Sequence, residues 1–391
     1  MHKKIKILYI LDHYHTFSGG TERQIYDLVK GLNKNLFEIE ACIFRHATDY
    51  FEKGDFPCPV VCFNIGSFFS PTTYYKLYNL RKYMRQKNYD IVQTIFNDSA
   101  ISIPFITFGL DVRLVSTRRD MGFWYTPMKL LILKMNSILI NKFLVNSIAV
   151  RDNVHEMEGV ALEKITVIYN GHDFSRFELP KQADLMKNLS IPMDSPIIGI
   201  VANMRPVKRV KDLISAFKSV LNIVPESYLI IVGHIDPSCE DYKHLVRTYG
   251  IEDRVRFLGM IDEPVPIIKN FSVGINCSET EGLSNSIIEY MACGIPVIAT
   301  DTSGNRELIK NGETGILVPV GDTEQLSRAI VQILQDEKYG KELASKSIKC
   351  VAERFNLDKV INQYTDFYMG LVEDEELKKN LTLVQNSMLE K

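Results

Sequence analysis

Asn276-Cys277-Ser278-Glu279-Thr280-Glu281-Gly282-Leu283-Ser284-Asn285-Ser286-Ile287-Ile288-Glu289-Tyr290-Met291-Ala292-Cys293-Gly294-Ile295-Pro296-Val297-Ile298-Ala299-Thr300 decides how the chain is read. The run spells loop, short helix, turn and strand. Ser284 or Ser286 can cap the helix start, and Ser286-x-x-Glu289 fits a capping box. Ile287, Ile288 and Met291 form an apolar face, Gly294 ends the helix, and Pro296 to Ala299 is a buried-strand pattern. Glu281 lies in the loop and Glu289 inside the helix. Between them the helix N-terminus offers unpaired N–H groups and a positive dipole end, which suits a phosphate. Eight partly helical residues separate the two carboxylates by roughly 12 Å. That is long for a hydrolase acid/base pair acting across one bond. Two grips on hydroxyl-bearing parts of one long ligand fit the spacing better.

Outward from this stretch, strand and helix patterns alternate along the whole chain, which predicts α/β layers with parallel sheets. Ile5–Leu11 is a strand followed by a glycine-rich loop and a helix opened by Thr21, where Thr21-x-x-Gln24 reads as a capping box. Further strands are expected at 39–44, 60–63, 90–94, 113–117, 142–145 and 164–169. A polar, Tyr-rich helix is expected over 72–87. Asn170-Gly171-His172-Asp173 is a turn cluster, and the polar stretch 173–195 with Pro180 and Pro192 reads as an inter-domain linker. A second α/β half follows from 196 to 355. Residues 356–391 read as an amphipathic helix that packs back on the first half, with a frayed tail. The expected organisation is therefore 1–172, 173–195, 196–355 and 356–391.

The 391 residues are 46% hydrophobic and 24% charged, with a formal net charge of −2. This is an ordinary soluble composition and gives no electrostatic case for nucleic acid. No signal peptide is read at the start, and no apolar run reaches the roughly 18 residues of a membrane helix. Seven scattered cysteines favour a reduced, cytoplasmic setting over a disulfide framework. Cys58 and Cys62 lack a second pair at zinc spacing.

Four loops carry candidate chemistry. Ser18-Gly19-Gly20-Thr21-Glu22-Arg23 sits between strand and helix; its glycines either bring backbone N–H groups to a phosphate or simply make a tight turn. It is not a dinucleotide fingerprint. Val201-Ala202-Asn203-Met204-Arg205-Pro206-Val207-Lys208-Arg209 places basic side chains at a strand's carboxyl end. Arg205 and Lys208 are the pair expected to hold a diphosphate, with Arg209 and Lys211 as solvated surface. The third loop is the opening stretch. The fourth, Asp301 to Glu307, is a polar loop at the same sheet edge.

Together these residues resemble a retaining glycosyltransferase of the GT-B fold, family 4 type. Glu281 to Glu289 matches that family's E-x7-E motif, Gly19 to Arg23 its GG-x-E-R loop, and Arg205 with Lys208 its diphosphate clamp. Asn170-Gly171-x-Asp173 and Val255-Arg256-Phe257-Leu258-Gly259 also match. The resemblance covers nearly the whole chain. It implies two Rossmann-like α/β/α domains facing a central cleft, the first on the acceptor side and the second holding a nucleotide-sugar donor. Gly19 and Gly20 would approach the diphosphate, and Arg205 and Lys208 would neutralise it. Glu289 would bind the ribose and Glu281 the donor sugar. Gly282, Leu283 and Ser284 would offer N–H groups, and Arg256 and Phe257 would lie beside the base. No metal or cofactor is implied; the co-substrate is a nucleotide-diphosphate sugar, a UDP-sugar ahead of a GDP-sugar, and the acceptor a saccharide or a lipid-linked saccharide of bacterial surface-polysaccharide or lipopolysaccharide assembly.

The chain departs from the family where many relatives carry a histidine at the end of the strand reading Leu114-Val115-Ser116-Thr117-Arg118-Arg119-Asp120. Arg118 is the candidate there for donor phosphate or an anionic acceptor. His13 and Asn170 are candidates on the acceptor side, His13 with a plain solvated-loop reading beside it. Residues 125–144, apolar with Lys129, Lys134 and Lys142, either touch the inner face of the membrane or pack as an ordinary helix. A GT-B-like nucleotide-sugar epimerase, which needs no acceptor, and a non-catalytic sugar-nucleotide binder are the competing classes. The intact Glu281, Glu289, Arg205 and Lys208 speak against the binder.

Overall fold

The computed structural model describes residues 3–14, 20–45, 56–66, 68, 70–234 and 240–389, with side chains to 373. Two compact units divide the chain: 1–146, 150–171 and 357–391 in one, 147–149 and 172–356 in the other.

The first unit is built from β1 (Ile5–Leu11), α1 (Gly20–Gly31), β2 (Phe37–Ile43), β3 (Val60–Cys62), α2 (Pro71–Lys87), β4 (Ile91–Thr94), α3 (Asn97–Thr107), β5 (Arg113–Arg118), α4 (Pro127–Asn136), β6 (Lys142–Val145), α5 (Ile148–Glu158) and β7 (Ile165–Val167). Its seven-stranded parallel sheet has the order β3-β2-β1-β4-β5-β6-β7. Strands covered on both faces read as continuous apolar runs, and β1 buries Ile7 to Leu11 without a break. One core lies under α1 with Ile25, Leu28 and Val29; the opposite core lies under α2 with Leu77, Leu80 and Met84.

The second unit comprises α6 (Leu185–Asn188), β8 (Ile197–Val201), α7 (Val210–Leu221), β9 (Tyr228–Val232), α8 (Glu240–Tyr249), β10 (Val255–Gly259), α9 (Val265–Ile268), β11 (Val273–Asn276), α10 (Asn285–Ala292), β12 (Val297–Thr300), α11 (Ser303–Arg306), β13 (Ile316–Val318), α12 (Thr323–Gln335) and α13 (Glu337–Arg354). The strands are parallel in the order β10-β9-β8-β11-β12-β13. The order reverses between β8 and β11, and the carboxyl ends of strands at such a switch point are where open α/β sheets bind ligands. The last helix, α14 (Leu357–Leu389), returns to the first unit. Its Val360, Tyr364, Tyr368 and Leu371 enter the core beside β1. The Tyr368 hydroxyl bonds Tyr9 Oη and Gln93 Oε1, both at 2.7 Å. The helix runs on through the stretch expected to fray.

Three expectations change. Residues 173–195 are built into the second unit: Gln182 N donates to Pro266 O at 2.9 Å, and Lys269 Nζ to Leu179 O at 2.7 Å. The Thr21–Gln24 capping box does not form, because α1 already starts at Gly20 and Gln24 turns inward, bonding both Gly171 N and Gly171 O at 2.8 Å. Helices α3 and α5 lie where no helix was expected.

Candidate active site

The site residues of the second unit gather on the loops after β8 and β11. Asn276, the last residue of β11, points its Nδ2 at Glu281 Oε1 and at Ser284 Oγ, 3.0 Å each. Ser278 Oγ donates to the same Glu281 oxygen at 2.7 Å. Lys208 Nζ, from the 3-10 turn Pro206–Lys208, completes the set at 2.7 Å. Glu281 is 8% exposed. Burial alone would push its carboxyl up. The ammonium of Lys208 and the hydrogen bonds from Lys208, Asn276 and Ser278 outweigh that and hold it below the usual carboxylate range. So a carboxylate and an ammonium stand in contact at the switch point, with the Lys208 side chain still 25% exposed.

The loop is held from behind. Glu279 N donates to Val207 O at 2.8 Å, which ties the two loops together. Thr300 Oγ1 donates to Ser278 O at 2.6 Å, and Asn305 Nδ2 to Thr300 O at 2.9 Å. Gly304 lets α11 press onto the loop: a Cβ there would lie 2.3 Å from Glu281 O and 2.5 Å from Gly282 O, so only glycine fits. The polar loop after β12 is thus the backing of the Glu281 loop. Gly274 does the same for α10, whose Tyr290 ring would meet a Cβ at 2.5 Å. The Tyr290 hydroxyl in turn accepts Val201 N at 2.6 Å and anchors α10 to β8.

Helix α10 starts after Ser284, whose side chain makes no capping bond. The expected Ser286–Glu289 capping box is absent, because α10 starts at Asn285 and Ser286 is already inside it; Ser284 Oγ accepts from Asn276 Nδ2 and faces Ser286 Oγ at 3.1 Å. Gly282, Leu283 and Ser284 are buried in the approach to that helix end. Glu289 lies further along α10, with its side chain 12% exposed and Arg176 Nη2 3.4 Å from Oε1. Arg176 was not picked out by the sequence pattern, since its partners Glu263 and Glu289 are 87 and 113 residues away. Arg205 is exposed on its loop. Arg209, expected as solvated surface, instead adopts a left-handed conformation (φ 48°) at the start of α7 and bonds Asp212 at 2.6 Å. Lys211 does pair at the surface, with Asp241.

Two expected site residues are otherwise engaged. Arg256 sits on the amino-terminal side of β10, with its guanidinium over the Tyr228 ring and Nε donating to Leu189 O at 2.9 Å. Its Nη1 donates to Asp253 O and Val255 O. The side chain therefore fastens the sheet edge, away from the strands' carboxyl ends. Phe257 is half-buried against the main core of the unit.

Arg118 is the larger correction. It is 4% exposed at the end of β5 and forks Glu158 of α5, Nε to Oε1 at 2.7 Å and Nη2 to Oε2 at 2.9 Å. Its Nη1 donates to Ser116 Oγ at 2.7 Å, and Tyr125 Oη adds a bond to Glu158 Oε1 at 2.5 Å. Burial works against the charge, but Glu158 more than compensates and raises the Arg118 pKa. A guanidinium so enclosed is a structural tie and does not face a ligand. Its neighbour Arg119 bonds Asn170 Oδ1 at 2.9 Å, so Asn170 orients Arg119 within the first unit. His13 stacks on Phe96 with ring centroids 4.7 Å apart and lies 4.0 Å from Glu22. Gly20 is the first residue of α1, whereas Gly19 lies outside the described residues. Among the described residues no three His, Cys, Asp or Glu side chains gather to hold a metal.

The sequence relationships agree with this layout. Residues 18–176 match the family described as Glycosyltransferase Family 4, and residues 181–349 the one described as Glycosyl transferases group 1. The chain belongs to this group 1, family 4 class of glycosyltransferases, and its two parallel-sheet units are those of the GT-B fold. It is 32% identical over 212 residues to the N-acetyl-alpha-D-glucosaminyl L-malate synthase of Bacillus anthracis, covering 54% of this chain and 55% of that protein. The chain thus spans about half the length of the first curated relatives it matches. It is 26% identical over 389 residues to the UDP-Gal:alpha-D-GlcNAc-diphosphoundecaprenol alpha-1,3-galactosyltransferase of Escherichia coli, covering 95% and 98% of the two chains. In fold it resembles Anabaena Alr3699/HepE in complex with UDP and glucose, at a TM-score of 0.83 and 20% identity over 94% of this chain and 100% of that one.

Proposed function

We propose that the protein is a retaining, metal-independent glycosyltransferase that moves a sugar from a nucleotide-diphosphate donor, a UDP-sugar ahead of a GDP-sugar, to a saccharide or lipid-linked acceptor in bacterial surface-polysaccharide assembly. The observation that carries this reading is the Lys208–Glu281 pair at the β8/β11 switch point, beside the start of α10 and with Glu289 on the same helix. In this reading Glu281 receives hydroxyls of the donor sugar, and Glu289 those of the ribose. Lys208 has three donors on its ammonium, so it can keep Glu281 and still take a phosphate oxygen. With Arg205 it offsets the charge that grows on the departing diphosphate, which is the transition-state role a metal would otherwise fill. The leaving phosphate oxygen then takes the acceptor's proton, and no separate base is needed.

The UDP donor and diphosphoundecaprenol acceptor in the printed name of the Escherichia coli relative favour a UDP-sugar and a lipid-linked acceptor. The first unit carries a surface that suits such an acceptor. On α4 and its flanks Phe123, Met128, Leu131, Met135 and Ile138 are 54–80% exposed at helical spacing, and on α2 Tyr74, Tyr75 and Tyr78 are 61–68% exposed. Residues 56–89 and 121–151 contain no Asp or Glu at all. Apolar and tyrosine side chains set among lysines and arginines fit an anionic lipid surface and support the reading of a peripheral enzyme at the inner face of the cell membrane. Among the described residues no helix is long and apolar enough to cross a membrane.

A thermal-shift screen against UDP-, GDP-, ADP- and CDP-sugars tests the donor reading. The UDP-sugar should raise Tm most, because a ligand bound only by the folded state stabilises it by RT ln(1 + [L]/Kd). A response to none of the four removes the proposal. Nucleotide release that proceeds equally without any acceptor would point to the epimerase class instead.

A further inference from the structure

Arg176 occupies a position in the second unit that the donor reading leaves unused. Its Nε and Nη2 fork Glu263, at 2.8 Å to Oε2 and 2.9 Å to Oε1, and Nη2 also reaches Glu289 Oε1 at 3.4 Å. The guanidinium lies over the Phe177 ring, 5.7 Å from its centroid. The Arg176 and Glu289 side chains are only 10% and 12% exposed, while Glu263 is 30% exposed on the outer side. Burial works against the arginine's charge, and the two carboxylates more than compensate.

The three residues come from three places. Arg176 belongs to the 3-10 turn Phe174–Glu178, Glu263 to the loop before α9, and Glu289 to α10. A bidentate fork fixes the plane of a guanidinium, and a ring beneath it fixes the plane a second time. Arg176 therefore has little freedom, and the contact to Glu289 is made by an atom already held. A glutamate on a helix has three rotatable bonds, and ordering it on ligand binding costs affinity. A carboxylate held beforehand, ionised and pointed, does not incur that cost when it accepts a vicinal pair of hydroxyls.

We propose that Arg176, locked by Glu263, is the positioning residue that pre-sets Glu289 for the ribose diol of the donor nucleotide. This rests on the reading of Glu289 given above. The turn that opens the second unit thus sets the affinity for the nucleoside half of the donor, and Glu263 acts one step further out by holding Arg176. The bland rival is that the trio merely fastens residues 173–195 to the unit.

Calorimetric titration of the purified chain with UDP and with 2′,3′-dideoxy-UDP separates these roles. The wild-type chain should prefer UDP by about tenfold or more, the effect of hydroxyls bonding to a charged acceptor. Arg176→Met should lower that ratio to within about threefold through weaker UDP binding alone, and in turnover its loss should fall on KM for the donor more than on kcat. Glu263→Gln should lie between. Arg176→Lys keeps the charge without the fork and should recover part of the ratio. If Arg176→Met loses thermal stability but keeps the full UDP preference, the rival holds and the proposal is overturned. If Arg176→Met does not fold, a full ratio in Arg176→Lys and Glu263→Gln overturns it equally. If Glu289→Gln itself keeps the wild-type ratio, the ribose reading of Glu289 fails, a result distinct from the failure of Arg176 alone.

Discussion

Arg118 ends β5 and Lys208 lies on the loop that follows β8, so both are basic residues on the carboxyl side of a parallel strand, yet their surroundings differ in one decisive respect. Arg118 and its partner Glu158 have side chains 4% and 0% exposed, joined by two parallel bonds, with Ser116 and Tyr125 taking further polar atoms. Lys208 is 25% exposed and holds Glu281 by a single bond. The first cation is consumed by structure; the second keeps donors to offer. A basic residue at a strand's carboxyl end is therefore no guide to ligand contact until its counter-charge is known. A fully forked, enclosed pair supports the fold, whereas an open ammonium beside a carboxylate can exchange partners with a phosphate.

The largest effect should come from breaking the open pair. Lys208→Ala removes a cation facing the developing diphosphate charge, and kcat should fall about 10²- to 10³-fold, as when one preorganised donor is taken from a transition state. Steady-state kinetics at saturating donor checks this; a loss confined to KM would make Lys208 a binding group only.

Arg118→Met sharpens the other half of the comparison. It strands Glu158 in a dry site, and chemical unfolding should show a loss of about 3–5 kcal/mol. The kcat/KM of the protein that remains folded should stay within about threefold. The double variant Arg118→Met with Glu158→Leu should regain much of the stability, because removing both charges leaves nothing unpaired. A large fall in kcat/KM in this double variant would return Arg118 to the list of ligand groups.

The parallel sheets and the Glu281–Glu289 stretch were legible in the sequence, whereas the contrast between Arg118 and Lys208 was not, because both read alike as basic residues bound for phosphate. The β11–α10–β12 stretch declares itself because its signals are local: apolar runs, a serine at the helix start, Gly294 at φ 71° past the end. The parallel sheets follow from alternation of such segments. Helix α3 declares nothing. It is apolar around most of its circumference, contains Pro104, and starts after Phe96. Its first N–H groups are satisfied by Asp12, whose carboxylate accepts Asp98 N at 2.6 Å and Ser99 N at 2.8 Å from 86 and 87 residues away. The cap exists only once the chain has folded. The same holds for Arg118 with Glu158, 40 residues apart, and for Arg176 with Glu263. Sequence spacing shows which residues can carry chemistry, but not which distant carboxylate has already claimed them.

A third kind of cation completes the series and carries the smallest expected effect. Lys134 is exposed on α4 next to Leu131 and Met135, in a stretch without acidic residues. It does not brace the core and belongs to the unit that lacks the Lys208–Glu281 pair, so its replacement should leave stability and soluble-acceptor turnover alone. Near an anionic bilayer each basic residue is worth about 1 kcal/mol, so Lys134→Glu should weaken binding to phosphatidylglycerol-containing vesicles about five- to tenfold at low salt. The difference should shrink as salt screens the surface. Leu131→Glu acts through the apolar stripe and should weaken binding at every salt concentration. Vesicle flotation reads both. If the wild-type chain fails to float at low salt, the exposed stripe is not a membrane contact, and the lysines of α4 belong with ordinary solvated charge.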